Sequence, residues 1–74
     1  MNLDKIKSLA GEFSFTFDRM HGNGCVARFK RDYVIIDIWF DRMTVGVYLP
    51  NKPQKFFRDV SSDSLTELLA NPEI

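Results

Sequence analysis

His21 and Cys25 are the chain's only histidine and only cysteine. Together they could make a thiolate–imidazole dyad, the minimum for nucleophilic catalysis by sulfur. The residues between them argue against it. "HGNG" reads as a turn, because Gly and Asn take positive φ at little steric cost. Cys25 then opens a strand, "CVARFKR", whose apolar face holds Cys25, Ala27 and Phe29, and a thiol buried there is inert packing. One His and one Cys fall short of a zinc donor set, and a lone cysteine cannot form an internal disulfide. Asp18, Asp37 and Asp41 supply carboxylates, but no spacing forces two of them into one cleft. "HGNG" joins two antiparallel strands with no helix behind it, so it is not a phosphate loop. The sequence therefore offers no catalytic residue, no metal site and no cofactor motif, and points to a non-enzymatic protein.

The remaining chemistry is basic and aromatic. Arg28, Lys30 and Arg31 fall near Tyr33 and Trp39, and aromatics on an open sheet can stack nucleic-acid bases. A sheet used in that way usually belongs to a basic domain. Here ten Lys and Arg are cancelled by ten Asp and Glu. "GNGCVARF" also lacks the paired aromatics of the ribonucleoprotein motif. Tyr, Trp and Arg equally dominate the hot spots of protein interfaces. Protein binding is therefore the first expectation and weak nucleic-acid binding the second.

Hydrophobic spacing indicates the elements that carry these residues. Asn2 caps a short helix with an apolar stripe of Leu3, Ile6, Leu9 and Ala10, ended by Gly11. "EFSFTFDRM" alternates strictly, with Phe13, Phe15 and Phe17 on one side and Glu12, Ser14, Thr16 and Asp18 on the other. A turn at Arg31-Asp32 leads to a third strand, Tyr33 to Phe40. Asp41-Arg42 leads to a fourth, Met43 to Leu49. A one-residue slip would turn every side chain over, so parity tests the register. Across Asp41-Arg42, Phe40 meets Met43, Ile38 meets Val45, Ile36 meets Val47 and Val34 meets Leu49. Across Arg31-Asp32, Phe29 meets Val34, Ala27 meets Ile36 and Cys25 meets Ile38. All these residues are apolar.

"KFFRDV" after the prolines reads as a fifth, edge strand or a loop. Ser61 then caps a second helix, with Val60 stapling on Leu65, a buried stripe of Leu65, Leu68 and Leu69, and a stop at Asn71-Pro72. A competing capping box runs from Ser64 to Glu67. The fold expected for residues 1–74 is a single α+β domain, an antiparallel meander of four strands or five. A short helix at each end lies on the apolar face, giving a two-layer sandwich in the order α-β-β-β-β-(β)-α.

That leaves the other face of the sheet. It carries Arg28, Lys30, Tyr33, Ile35, Trp39 and Tyr48, an aromatic patch with basic neighbours. Such a patch marks a contact surface for another protein or a second copy of the chain, unless a helix or the "PNKPQKFF" segment covers it. Asp37, mid-strand on this face, is expected to pair with Arg28, with Gly46 opposite leaving room for the long side chain. No run of 18 apolar residues is present to cross a membrane, and "MNLDKIKSLAG" lacks the apolar run of a signal peptide. With one cysteine, a cytoplasmic setting is expected.

Overall fold

A computed structural model of the chain describes residues 1–73. Helix α1 (Leu3–Glu12) is followed by strands β1 (Thr16–His21), β2 (Val26–Arg31), β3 (Val34–Trp39), β4 (Thr44–Tyr48) and β5 (Lys55–Phe57), and helix α2 (Ser62–Ala70) ends the order. The strands form one antiparallel sheet in sequential order, with β1 and β5 at its edges. The expected α+β meander is present, and "KFF" supplies the fifth strand. Among the described residues no helix is long and apolar enough to cross a membrane.

One face of the sheet forms the core. Ala27, Phe29, Ile36, Ile38, Val45 and Val47 pack there against Ile6 and Ala10 of α1 and Leu65, Leu68 and Leu69 of α2. Both helices therefore lie on the same side, as the apolar parity requires. Each begins with a side-chain cap: Asn2 accepts from the Lys5 amide, and Ser61 from the Ser64 amide. The Ser61 cap prevails over the alternative at Ser64.

Both helices lack a basic residue in their last turn. Arg31 supplies that charge from β2. Its Nη1 donates to the carbonyls of Phe13 at 2.8 Å and Leu69 at 3.2 Å, just past α1 and near the end of α2. The same guanidinium stacks 4.4 Å from the centre of the Phe15 ring. One cation thus serves the carbonyl-rich ends of two helices, where positive charge is favoured.

The structure corrects several local expectations. Gly11 does not end α1, which runs on to Glu12 with Phe13 as its C-cap. Ser14, at φ 65°, then reverses the chain, so "EFS" belongs to the helix exit and β1 starts only at Thr16. Phe15 is buried, whereas Phe17 at the sheet edge is 36% exposed. The turn after β2 is Asp32-Tyr33 rather than Arg31-Asp32, with Asp32 at φ 53°. Parity survives but partners move by two: Phe29 meets Ile36, Ala27 meets Ile38, and Val34 meets Arg31. Cys25, expected inside opposite Ile38, is exposed in the turn before β2. The β3–β4 register is as expected for Ile38–Val45 and Ile36–Val47. Phe40 and Met43 belong to the connecting turn, and Leu49 lies past the end of β4.

Candidate functional site

The face of the sheet opposite the helices has two parts, and Asp37 organises the first. Its β3 position lies directly opposite Arg28 on β2 and Gly46 on β4. Arg28 Nε donates to Asp37 Oδ1 at 2.8 Å and Nη2 to Oδ2 at 2.9 Å, a two-pronged pair. Asp37 is 1% exposed. His21 reaches over from β1 and places Nε2 3.3 Å from Asp37 Oδ1.

Burial alone would raise the Asp37 carboxyl. The two hydrogen bonds and the charge of Arg28, with the His21 ring close by, outweigh it and hold the group below its ordinary value. The Arg28 guanidinium is raised, its hydrogen bond to Asp37 prevailing over burial. Burial raises the Tyr48 phenol, and the nearby Asp37 charge raises it further. A general base for neutral pH needs a carboxyl tuned upward. Asp37 is shifted the opposite way, with both oxygens held by Arg28. This arrangement is a structural ion pair, the pairing expected between Arg28 and Asp37, made directly across the ladder.

The second part is aromatic. Phe56 on β5 pairs with Gly46 on β4 and lays its ring across that glycine. A Cβ at Gly46 would stand 3.0 Å from Phe56 Cε1 and 3.2 Å from Tyr48 Oη, so the absent side chain is what admits the ring. Phe56 meets Trp39 on one side and Tyr48 on the other edge-to-face, each with centroids 6.1 Å apart. Trp39, Tyr48 and Ile35 are half-buried, while Phe56 is 52% exposed. Beside Trp39 and Phe56 opens a cleft of about 380 Å³, completed by Thr44, Arg42, Arg58 and Asp59. The Val60 amide donates to the Met43 carbonyl at 2.9 Å and ties the segment after β5 to the β3–β4 turn.

Trp39 and Tyr48 thus come together, with Ile35 directly opposite Tyr48. Three other expected site residues stand apart. Tyr33, expected to begin the third strand, is in the β2–β3 turn and 81% exposed. Lys30 pairs with Ile35 and lies 3.6 Å from Asp18. Arg28 is committed to Asp37. Arg31, grouped with these cations in the sequence, faces the helices instead. Neither helix covers the aromatic patch, and the C-terminal part of "PNKPQKFF" extends it as β5.

Phe56 was the residue that sequence reasoning missed. Its neighbour Phe57 takes the core-side position opposite Val45, so the pair "FF" in an edge strand already implied one ring on each face. Gly46, recognised as a gap in the strand, makes room for an aromatic ring and not only for Arg28.

Among the described residues no group of three His, Cys, Asp or Glu side chains could hold a metal ion. Comparison with protein-family models, curated proteins and solved structures finds no match.

Proposed function

We propose that this domain is a non-enzymatic protein-interaction module of the regulator or inhibitor type, acting in the cytoplasm through the Trp39–Phe56–Tyr48 patch. The observation that carries this reading is the half-exposed Phe56 ring, held between Trp39 and Tyr48 on a sheet face that neither helix covers. Contiguous exposed aromatic area on a small domain marks a contact surface, and Trp and Tyr are the side chains that anchor such contacts. Ile35 extends the patch, and Arg42 and Arg58 flank it at the cleft. Lys30 and Tyr33 are more distant and serve at most as rim contacts.

Nucleic-acid binding is the second reading. It is weakened because the chain carries no net charge, and because Arg28 is held by Asp37 and Arg31 by two helix ends, so neither of these two is presented to phosphates. Parallel affinity captures from the producing cells, with wild-type, Phe56→Glu and Lys30→Ala baits, separate the two. A protein retained by wild type and Lys30→Ala but lost with Phe56→Glu is the expected result. Salt-sensitive retention of nucleic acid, reduced by Lys30→Ala, would favour the second reading.

A further inference from the structure

Among the described residues no strand pairs with the outer edge of β1, Thr16 to His21, whose Phe17 is 36% exposed with Lys7 Nζ 4.2 Å from its ring centre. Native edges of this length are usually short, charged or bulged to block strand addition. β1 does contain a bulge: Phe17 pairs with Phe29 and Arg19 with the very next β2 residue, Arg28, leaving Asp18 as the extra residue.

That bulge has a geometric result. In a regular strand, Phe17 and Met20, three apart, would point to opposite faces. The inserted Asp18 restores them to one face, since Phe17 opposes Phe29 and Met20 opposes Ala27, both core-side residues. Thr16 and His21 likewise share the other face, opposite Lys30 and Val26. The edge is therefore self-complementary about a point between Asp18 and Arg19. An antiparallel copy centred there sets Phe17 against the second copy's Met20 and Thr16 against the second copy's His21. It also sets Asp18 against the second copy's Arg19, twice by symmetry. Without the bulge, the two-fold axis would force the apolar residues onto mismatched faces.

We propose that β1 is a homodimerisation edge, at which two copies pair β1 to β1 antiparallel into one continuous ten-stranded sheet with reciprocal Asp18–Arg19 contacts. The occupant is a second copy because face and charge both match in that register, where Asp18, already 3.8 Å from its own Arg19 and 3.6 Å from Lys30, gains the second copy's Arg19. A two-fold axis normal to the sheet keeps both Trp39–Phe56 patches on the same side, each at the far end from the new seam. A dimer of this kind would present its binding patches in pairs and gain from bivalent engagement. The edge is independent of what the aromatic patch binds.

Charge exchange tests it, with mass followed by light scattering across a wide concentration range. Wild type is expected to associate to a dimer. Asp18→Arg, which places like charges across the seam, is expected to raise the dissociation constant ~tenfold or more. Asp18→Arg combined with Arg19→Asp should restore wild-type association, because it rebuilds the reciprocal pairs with the signs exchanged. In wild type, β1 amides should gain hydrogen-exchange protection as concentration rises while β5 amides do not, a readout that needs no variant to fold. A wild type monomeric throughout, a dimer indifferent to Asp18→Arg, failure of the double exchange to restore it, or protection that does not rise at β1 would each overturn the proposal.

Discussion

Replacing Asp37 by asparagine is expected to cost the fold about 3 kcal/mol, near the low end for breaking a buried ion pair from one side. The shape of the side chain is conserved, so little packing is lost. What changes is that the Arg28 guanidinium, only 23% exposed, keeps its charge with no anion to receive it. The cost falls near the low end because that remaining exposure lets water reach the stranded cation. Substituting Arg28→Met together with Asp37→Asn should recover part of the loss, since removing both charges is milder than removing one.

The same pair sets an acid limit. The folded Asp37 carboxyl lies below its ordinary value of 3.8, so its stabilisation is complete above that pH and is lost as pH falls through the folded value. Urea midpoints of wild type should drop across that acidic window, and those of Asp37→Asn should drop less steeply. A change within about 0.5 kcal/mol, as for an ordinary surface substitution, would mean that the pair contributes little.

Arg31→Ala is expected to cost about 2 to 3 kcal/mol, and to loosen both helices together. Hydrogen bonds from a charged donor are worth about 1.5 to 3 kcal/mol, and a cation at a helix C-terminus adds a few tenths to one more. The contact with the Phe15 ring is lost as well. Arg31→Lys keeps the charge and the donors but not the flat group that stacks on Phe15, so its cost should be intermediate. Hydrogen exchange provides the specific reading: amides in the last turns of α1 and α2 should lose protection in parallel. Loss confined to one helix, or to neither, would show that the two ends are held separately.

These two arginines show what could and could not be read from the chain. Sheet faces were legible because the strand repeat is two, and apolar residues on β3 and β4 admit only one parity. The Arg28–Asp37 pair followed from that parity, being two opposite charges on one face. The role of Arg31 did not follow, because nothing local indicates that a strand-end cation will reach carbonyls at the ends of two helices distant in sequence. The start of β1 was misread for a different reason. Phe13 and Phe15 alternate with polar neighbours as a strand would, yet the left-handed Ser14 folds them as a helix exit. Composition carries no mark of such a φ angle in a non-glycine residue. Exposure of Cys25 came from a turn shifted by one residue, because His21 ends β1 and the four turn residues are Gly22 to Cys25.

The aromatic patch was half legible. Trp39 and Tyr48 emerged because they are the wrong residues for a solvated sheet face. Phe56, the most exposed ring of the three, was hidden in a three-residue edge strand too short to show alternation. Its partner across the ladder, Gly46, was visible, but the ring that fills the gap is a tertiary fact.

The most direct test of the binding surface is site-specific photo-crosslinking in the producing cells. A photoreactive phenylalanine analogue would replace Phe56 in one strain and Asp4, on the exposed start of α1, in another. The expected result is a discrete protein adduct from position 56 that is absent from position 4 and unaffected by nuclease. No adduct at 56, or the same adduct from both positions, would contradict a contact surface centred on Trp39, Tyr48 and Phe56.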